Sequence, residues 1–153
     1  MDAGDVGTQG TAGYRVTVVV KPKRIMVIDD SEVVLARVKR ALIVAGHEVI
    51  ATSQVVGNAR HLPTCDLVIL DYHMPGLNGS SVMSSLRSLA GSLKNECPIY
   101  LYTSDPQIER NYAQLGFDGA FMDKGDEPSL VRQVAAVFRR VEIRLAVRQK
   151  QVP

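Results

Sequence analysis

The sequence predicts an α/β protein, a parallel sheet with helices on both faces. Short apolar runs alternate along the chain with amphipathic segments of helical length, the pattern of repeated strand–helix–strand units. The runs show little apolar–polar alternation, "LVIL" at 67 to 70 most plainly, as expected of strands buried on both sides. The 153 residues are 46% hydrophobic and 22% charged, which suits one domain with a sizeable core. Tryptophan is absent and aromatics are 5%, so that core is mainly aliphatic.

Residues 1 to 22 read as a leader, either mobile or adding a strand. "MDAGDVGTQGTAG" is glycine-rich and without periodicity, whereas "YRVTVVV" at 14 to 20 is rich in β-branched residues. Lys21-Pro22-Lys23 breaks the chain before the first strand, "RIMVI" at 24 to 28. A helix follows over 31 to 45, with Val34, Leu35, Val38, Leu42 and Ile43 at helical spacing, Ser31 to cap it and Gly46 to end it. "HEVIAT" (47 to 52) is the second strand, and "QVVGNARHL" (54 to 62) a short helix weakened by Gly57. "DLVIL" (66 to 70) is the third strand, and Pro75, Gly76 and Gly79 make a loop before a helix over 80 to 92. "IYLYT" (99 to 103) is the fourth strand, 105 to 115 a helix begun by Pro106, and "GAFMD" (119 to 123) the fifth strand. The last helix starts near Pro128 and runs into the 140s, with Val131, Val134, Phe138, Val141 and Leu145 as its core face.

Several function classes fall away. The net charge of +2 gives no ground for a nucleic-acid partner. No apolar run approaches the roughly 18–20 residues of a membrane span, and the acidic "MDAGD" start lacks a signal peptide's basic region. The cytoplasm is therefore the expected location, and two reduced thiols, Cys65 and Cys97, suit it. His47 and His61 read as surface or helix-end residues.

The chemistry collects after the strands. The first leads to Asp29-Asp30, the third to Asp71, the fourth to Thr103-Ser104, and the fifth to Lys124. In a parallel sheet these C-terminal ends share one edge, where open α/β sheets bind their ligands. Three crowded carboxylates repel one another. One lysine offsets one charge, and a hard divalent cation such as Mg²⁺ offsets two more. A free carboxylate, an ammonium and a hydroxyl beside a metal then suit a phosphoryl group.

In order, and with helix-sized gaps, "VIDDS", "DLVILDYHMPGLNG", "YLYTS" and "FMDK" resemble the receiver (CheY-like) domain of bacterial two-component response regulators, over residues 23 to 142. The resemblance implies a flavodoxin-like (βα)5 three-layer sandwich with strand order 2-1-3-4-5. It implies that Asp71 accepts a phosphoryl group from a sensor histidine kinase or phosphotransfer protein. Mg²⁺ or Mn²⁺ would be held by Asp30, by Asp29 directly or through water, by Asp71, and by the backbone carbonyl of His73. Lys124 would pair with the phosphoryl oxygens, Thr103 would hydrogen-bond one of them, and the small Ser104 would leave room and offer its N–H. Phe121 takes the position of the switch aromatic. Moving with Thr103, it would alter the face of the fourth helix, fifth strand and fifth helix that meets a downstream protein effector. The chain would be no turnover enzyme, but would catalyse only its own phosphorylation and dephosphorylation.

Gly125 departs from the pattern, because the family usually places a cis proline after the lysine. A cis bond before a non-proline residue costs about 3 kcal/mol, so a trans bond and a different loop are expected. Asp105 should cap the following helix and face His73 across the site mouth. Residues 143 to 153 form a basic extension. From 139 onward five cations, Arg139, Arg140, Arg144, Arg148 and Lys150, stand against Glu142. This overhang suits a partner, a homodimer through the last helices, or a further domain. Residues after 142 are too few for a DNA-binding output domain, so output by protein contact is expected. Competing readings are a degenerate receiver that binds partners without phosphorylation, an aspartyl-nucleophile phosphatase, and a flavodoxin. The phosphatase needs a second Asp where His73 stands. The flavodoxin needs a phosphate loop where this chain has two acids.

Overall fold

The computed structural model describes residues 21–54, 59–74, 77–78, 83–84, 86 and 97–151. Five parallel strands form one sheet: β1 (Arg24–Ile28), β2 (Glu48–Thr52), β3 (Leu67–Leu70), β4 (Ile99–Tyr102) and β5 (Gly119–Phe121), in the order β2-β1-β3-β4-β5. This is the parallel 2-1-3-4-5 sheet expected from the sequence. A separate two-residue antiparallel ribbon pairs His73–Met74 with Leu77–Asn78.

Period-two alternation divides the core between the sheet's faces. On β1, Ile25 and Val27 pack with Leu35, Val38, Leu130, Val134 and Phe138. Met26 and Ile28 pack on the other face with Leu62, Met83, Leu86 and Phe117. Helix α1 (Glu32–Val44) is capped by Ser31, whose hydroxyl accepts the Val34 N–H at 3.3 Å. It ends at Gly46, whose φ of +100° lets the His47 N–H reach back to the Leu42 carbonyl at 3.0 Å. Helix α2 (Pro106–Arg110) is capped by Asp105, which accepts from Gln107 and Ile108. Helix α3 (Glu127–Gln151) begins on Asp126, whose carboxylate accepts the Ser129 N–H.

Several expectations change. Residues 54 to 62 do not form an α-helix where described. The chain makes a 3₁₀ helix, Ala59–Thr64, because Pro63 has no N–H to give. Regular α-helix after β4 stops at Arg110 rather than 115, and turns carry the chain on to 116. The core face of α3 is Leu130, Val134, Val137 and Phe138, with Leu145 half exposed, because the helix outruns the sheet it packs on. At about 1.5 Å per residue its 25 residues span about 37 Å. The candidate strand at 14 to 20, and most of the helix expected over 80 to 92, lie outside the described residues. No helix among the described residues is long and apolar enough to cross a membrane.

Side chains also seal the sheet's N-terminal edge. Asp66 accepts the Arg24 N–H at 2.8 Å, and Asp118 accepts the Ile99 N–H at 2.7 Å. His47 Nδ1 accepts the Lys23 N–H at 3.2 Å. His47 does follow a helix end, but it is buried rather than on the surface. Burial, and then Lys23, hold its pKa below the usual value, while Asp66 opposes them. Cys65 and Cys97 are both buried, with no disulfide between them, and burial raises the Cys65 thiol to about 11.

Two outcomes test this packing. A Cβ at Gly119 would overlap the Tyr100 ring, which stacks on Phe121. Gly119→Ala should cost about 1–3 kcal/mol in urea unfolding, and Tyr100→Ala should remove most of that penalty. The unfolded chain protonates His47 near pH 6.5 while the fold keeps it neutral. Stability from this residue is therefore full above that pH and lost as pH falls below it. The urea midpoint should drop between pH 7.5 and 5.5, and His47→Gln should flatten that drop.

Candidate functional site

Strand register assembles the site. Ile28 pairs with Leu70, Leu70 with Leu101, and Tyr102 with Phe121. One step beyond the first two pairs, Asp29 lies beside Asp71 and Asp71 beside Tyr102. Asp29, Asp71, Tyr102 and Phe121 thus form one row across four strands, on the face that α1 and α3 cover. Backbone bonds hold the row's acidic end, with the Asp71 N–H donating to the Ile28 carbonyl at 2.9 Å.

Asp29 and Asp71 are buried, while Asp30 is exposed. One carboxylate oxygen from each of the three lies within 4.8 Å of the others. Asp29 Oδ1 accepts the Ser31 N–H at 2.9 Å. From the loop after β5, Lys124 places Nζ 2.7 Å from Asp29 Oδ2 and 3.4 Å from Asp71 Oδ2. With Ser104, Tyr102 and Gly125 these groups line a cleft of about 330 Å³. At its outer wall Arg37 of α1 reaches Glu127 of α3 at 3.0 Å.

The donor set fits a hard divalent cation. Three carboxylates converge on one volume, and one ammonium leaves them short of neutral. Asp29, Asp30 and Asp71 supply the oxygens. His73 follows Asp71 by two residues in the short ribbon.

Of the residues expected from sequence, Asp29, Asp30, Asp71, Lys124 and Ser104 meet at the cleft. Thr103 and Phe121 stand apart from it. The Thr103 hydroxyl accepts the Asp105 N–H at 3.1 Å, and Phe121 is buried against Tyr100 with ring centroids 4.7 Å apart. Asp105 caps α2 as expected, while the His73 side chain it was expected to face lies outside the described residues.

The lysine loop differs from a proline loop as anticipated. No described peptide bond is cis. The Asp126 N–H donates to the Asp123 carbonyl at 2.9 Å, and Gly125, third in that turn, has φ +107°, a value closed to proline and favoured by glycine. Sequence reasoning missed two anchors of this loop. Gln133 brackets Met122, accepting its N–H at 2.9 Å and donating to its carbonyl at 3.1 Å. Tyr102 accepts the Gly125 N–H at 3.2 Å. The available signal was strand parity, which puts Tyr102 on the face of Asp71.

Known proteins resemble this chain in sequence and fold. The response regulator receiver domain family matches residues 25–135. The chain is 31% identical over 126 residues to the transcriptional regulatory protein PrrA of Mycobacterium leprae. That match takes in 79% of the chain but 52% of PrrA, so the chain spans about half the length of this relative. The structure of a CheY-like receiver domain protein from Methanospirillum hungatei superposes with a TM-score of 0.65 at 17% identity, covering 81% of this chain and 99% of that one. The response regulator TrrA of Thermotoga maritima, solved with Mg(2+)-BeF, gives 0.60 at 25% identity, covering 73% and 96%. The matched family takes in the strand ends that carry Asp29, Asp30, Asp71 and Lys124, and the chain belongs to the response regulator receiver domains of two-component signalling.

Proposed function

We propose that the chain is a phosphoacceptor, with Asp71 receiving a phosphoryl group from a sensor histidine kinase or phosphotransfer protein. The observation that carries this is Lys124 Nζ set 2.7 Å from Asp29 and 3.4 Å from Asp71, with all three carboxylates around one volume. Asp71 ends a fully buried strand, so its position is rigid, while the cleft opens it to a donor. An Asp71 oxygen forms the new bond to phosphorus as the phosphorus–nitrogen bond of a phosphohistidine breaks, and the imidazole leaves with the electron pair. Asp71 lies 3.4 Å from Lys124, whose ammonium is placed to take up charge on the transferred oxygens. Asp30, Asp29 and Asp71, with the His73 carbonyl, would hold Mg²⁺ or Mn²⁺, which offsets the negative charge of the acids and the incoming phosphoryl group. The TrrA structure with Mg(2+)-BeF supports that choice.

Ser104 sits at the cleft to leave room and offer its N–H. Thr103 would exchange the Asp105 amide for a phosphoryl oxygen, and Phe121 would repack with it, shifting the population of the face formed by α2, β5 and α3 toward a downstream effector. The chain acts on itself and turns over no separate substrate.

Incubation with Mg²⁺ and acetyl phosphate should add one phosphoryl group by intact mass. The adduct should be absent from Asp71→Asn. Asp30→Asn should weaken Mg²⁺ binding by about 10-fold or more in a calorimetric titration. Persistence of the adduct in Asp71→Asn would move the acceptor elsewhere.

A further inference from the structure

Lys124 reaches the acids from a loop whose next residue is glycine. Glycine has the widest backbone freedom of any residue, so an ammonium carried beside it would ordinarily be poorly aimed. The Gly125 N–H is instead tied to the phenol oxygen of Tyr102 at 3.2 Å. Tyr102 is itself 2% exposed, held in the sheet beside Asp71 and packed under α3. Lys124 Nζ lies 5.5 Å from the centroid of the same ring. The ring supports the ammonium and its hydroxyl holds the peptide that follows the lysine. A phenylalanine would keep the ring's packing, so packing does not account for the hydroxyl. Burial raises the phenol's pKa, so the group stays neutral and adds no fourth anion beside Asp71.

We propose that Tyr102 is a positioning residue for Lys124: it fixes the Lys124–Gly125 segment so that the ammonium stands between Asp29 and Asp71. This deepens the phosphoacceptor reading and rests on it. Tyr102 acts through Lys124 rather than on the transferred group itself.

The test is Tyr102→Phe, which keeps the ring and removes the oxygen. Phosphorylation by acetyl phosphate should slow about 10-fold, the scale expected when a charge-stabilising group is slightly misplaced. The Mg²⁺ dissociation constant should stay within about twofold, because the three carboxylates remain in place. Amide exchange at Gly125 should quicken while that at Met122, held by Gln133, should not. In a Lys124→Met background Tyr102→Phe should add no further slowing, as required of a residue that acts through the lysine. An unchanged rate despite a freed Gly125 amide, or an equal slowing with and without Lys124, would overturn the proposal. So would a parallel loss of Mg²⁺ affinity and thermal midpoint, which marks a merely structural residue. Should the wild-type chain take no phosphoryl group, the phosphoacceptor reading fails instead. The placement of Lys124 is then read from its Nζ nitrogen resonance: a shift in Tyr102→Phe upholds the positioning role, and no shift overturns it.

Discussion

Crowding of carboxylates at the C-terminal edge of the sheet is the constraint on which the rest depends. Asp29 and Asp71 are neighbours because Ile28 and Leu70 are, and the β1–β3 pairing cannot separate them without breaking the core. Two unit charges within 4.8 Å repel by about 3 kcal/mol at an effective dielectric of 20. Such a pair persists in a buried place only with compensation. The Ser31 amide on Asp29 and the Lys124 ammonium supply part of it. The acids that remain uncompensated suit a hard cation, whose charge would offset the repulsion.

The loop after β5 meets an exacting geometric demand. It must hold an ammonium within 2.7 Å of one carboxylate and 3.4 Å of another. It does so through several weak ties rather than one rigid residue: the Gln133 bracket on Met122, the turn closed by Asp126, and the Tyr102 phenol on Gly125. Asp123 takes a φ of +58° to enter the turn, a conformation aspartate tolerates better than most residues. Anchors of modest strength, spread over three elements, thus hold the segment together.

The last helix joins site and surface. Its first turn meets α1 through Glu127 and Arg37 at the cleft wall, and Val134 and Phe138 seat it on the sheet. Beyond Phe138 it carries exposed Ile143, Leu145 and Val147 among arginines.

The strands, and the acids that follow them, were legible in sequence because each depends on a local signal, whereas the strand order came from the family resemblance. Runs such as "LVIL" can only be buried strands, and acids placed just after such runs must share an edge once the sheet is parallel. Ser31, Gly46 and Asp105 announced their caps for the same reason, since a cap is satisfied within a few residues of its own position. What sequence left undecided depends on groups distant along the chain. Whether Lys124 reaches Asp29, 95 positions earlier, is settled by packing of β5 against β4. That Tyr102 faces Asp71 rather than the opposite side follows from a register in which a one-residue slip would reverse every side chain. The exposure of Leu145, expected as core, has a similar origin: periodicity offers an apolar face, but only a neighbouring surface of sufficient extent can bury it.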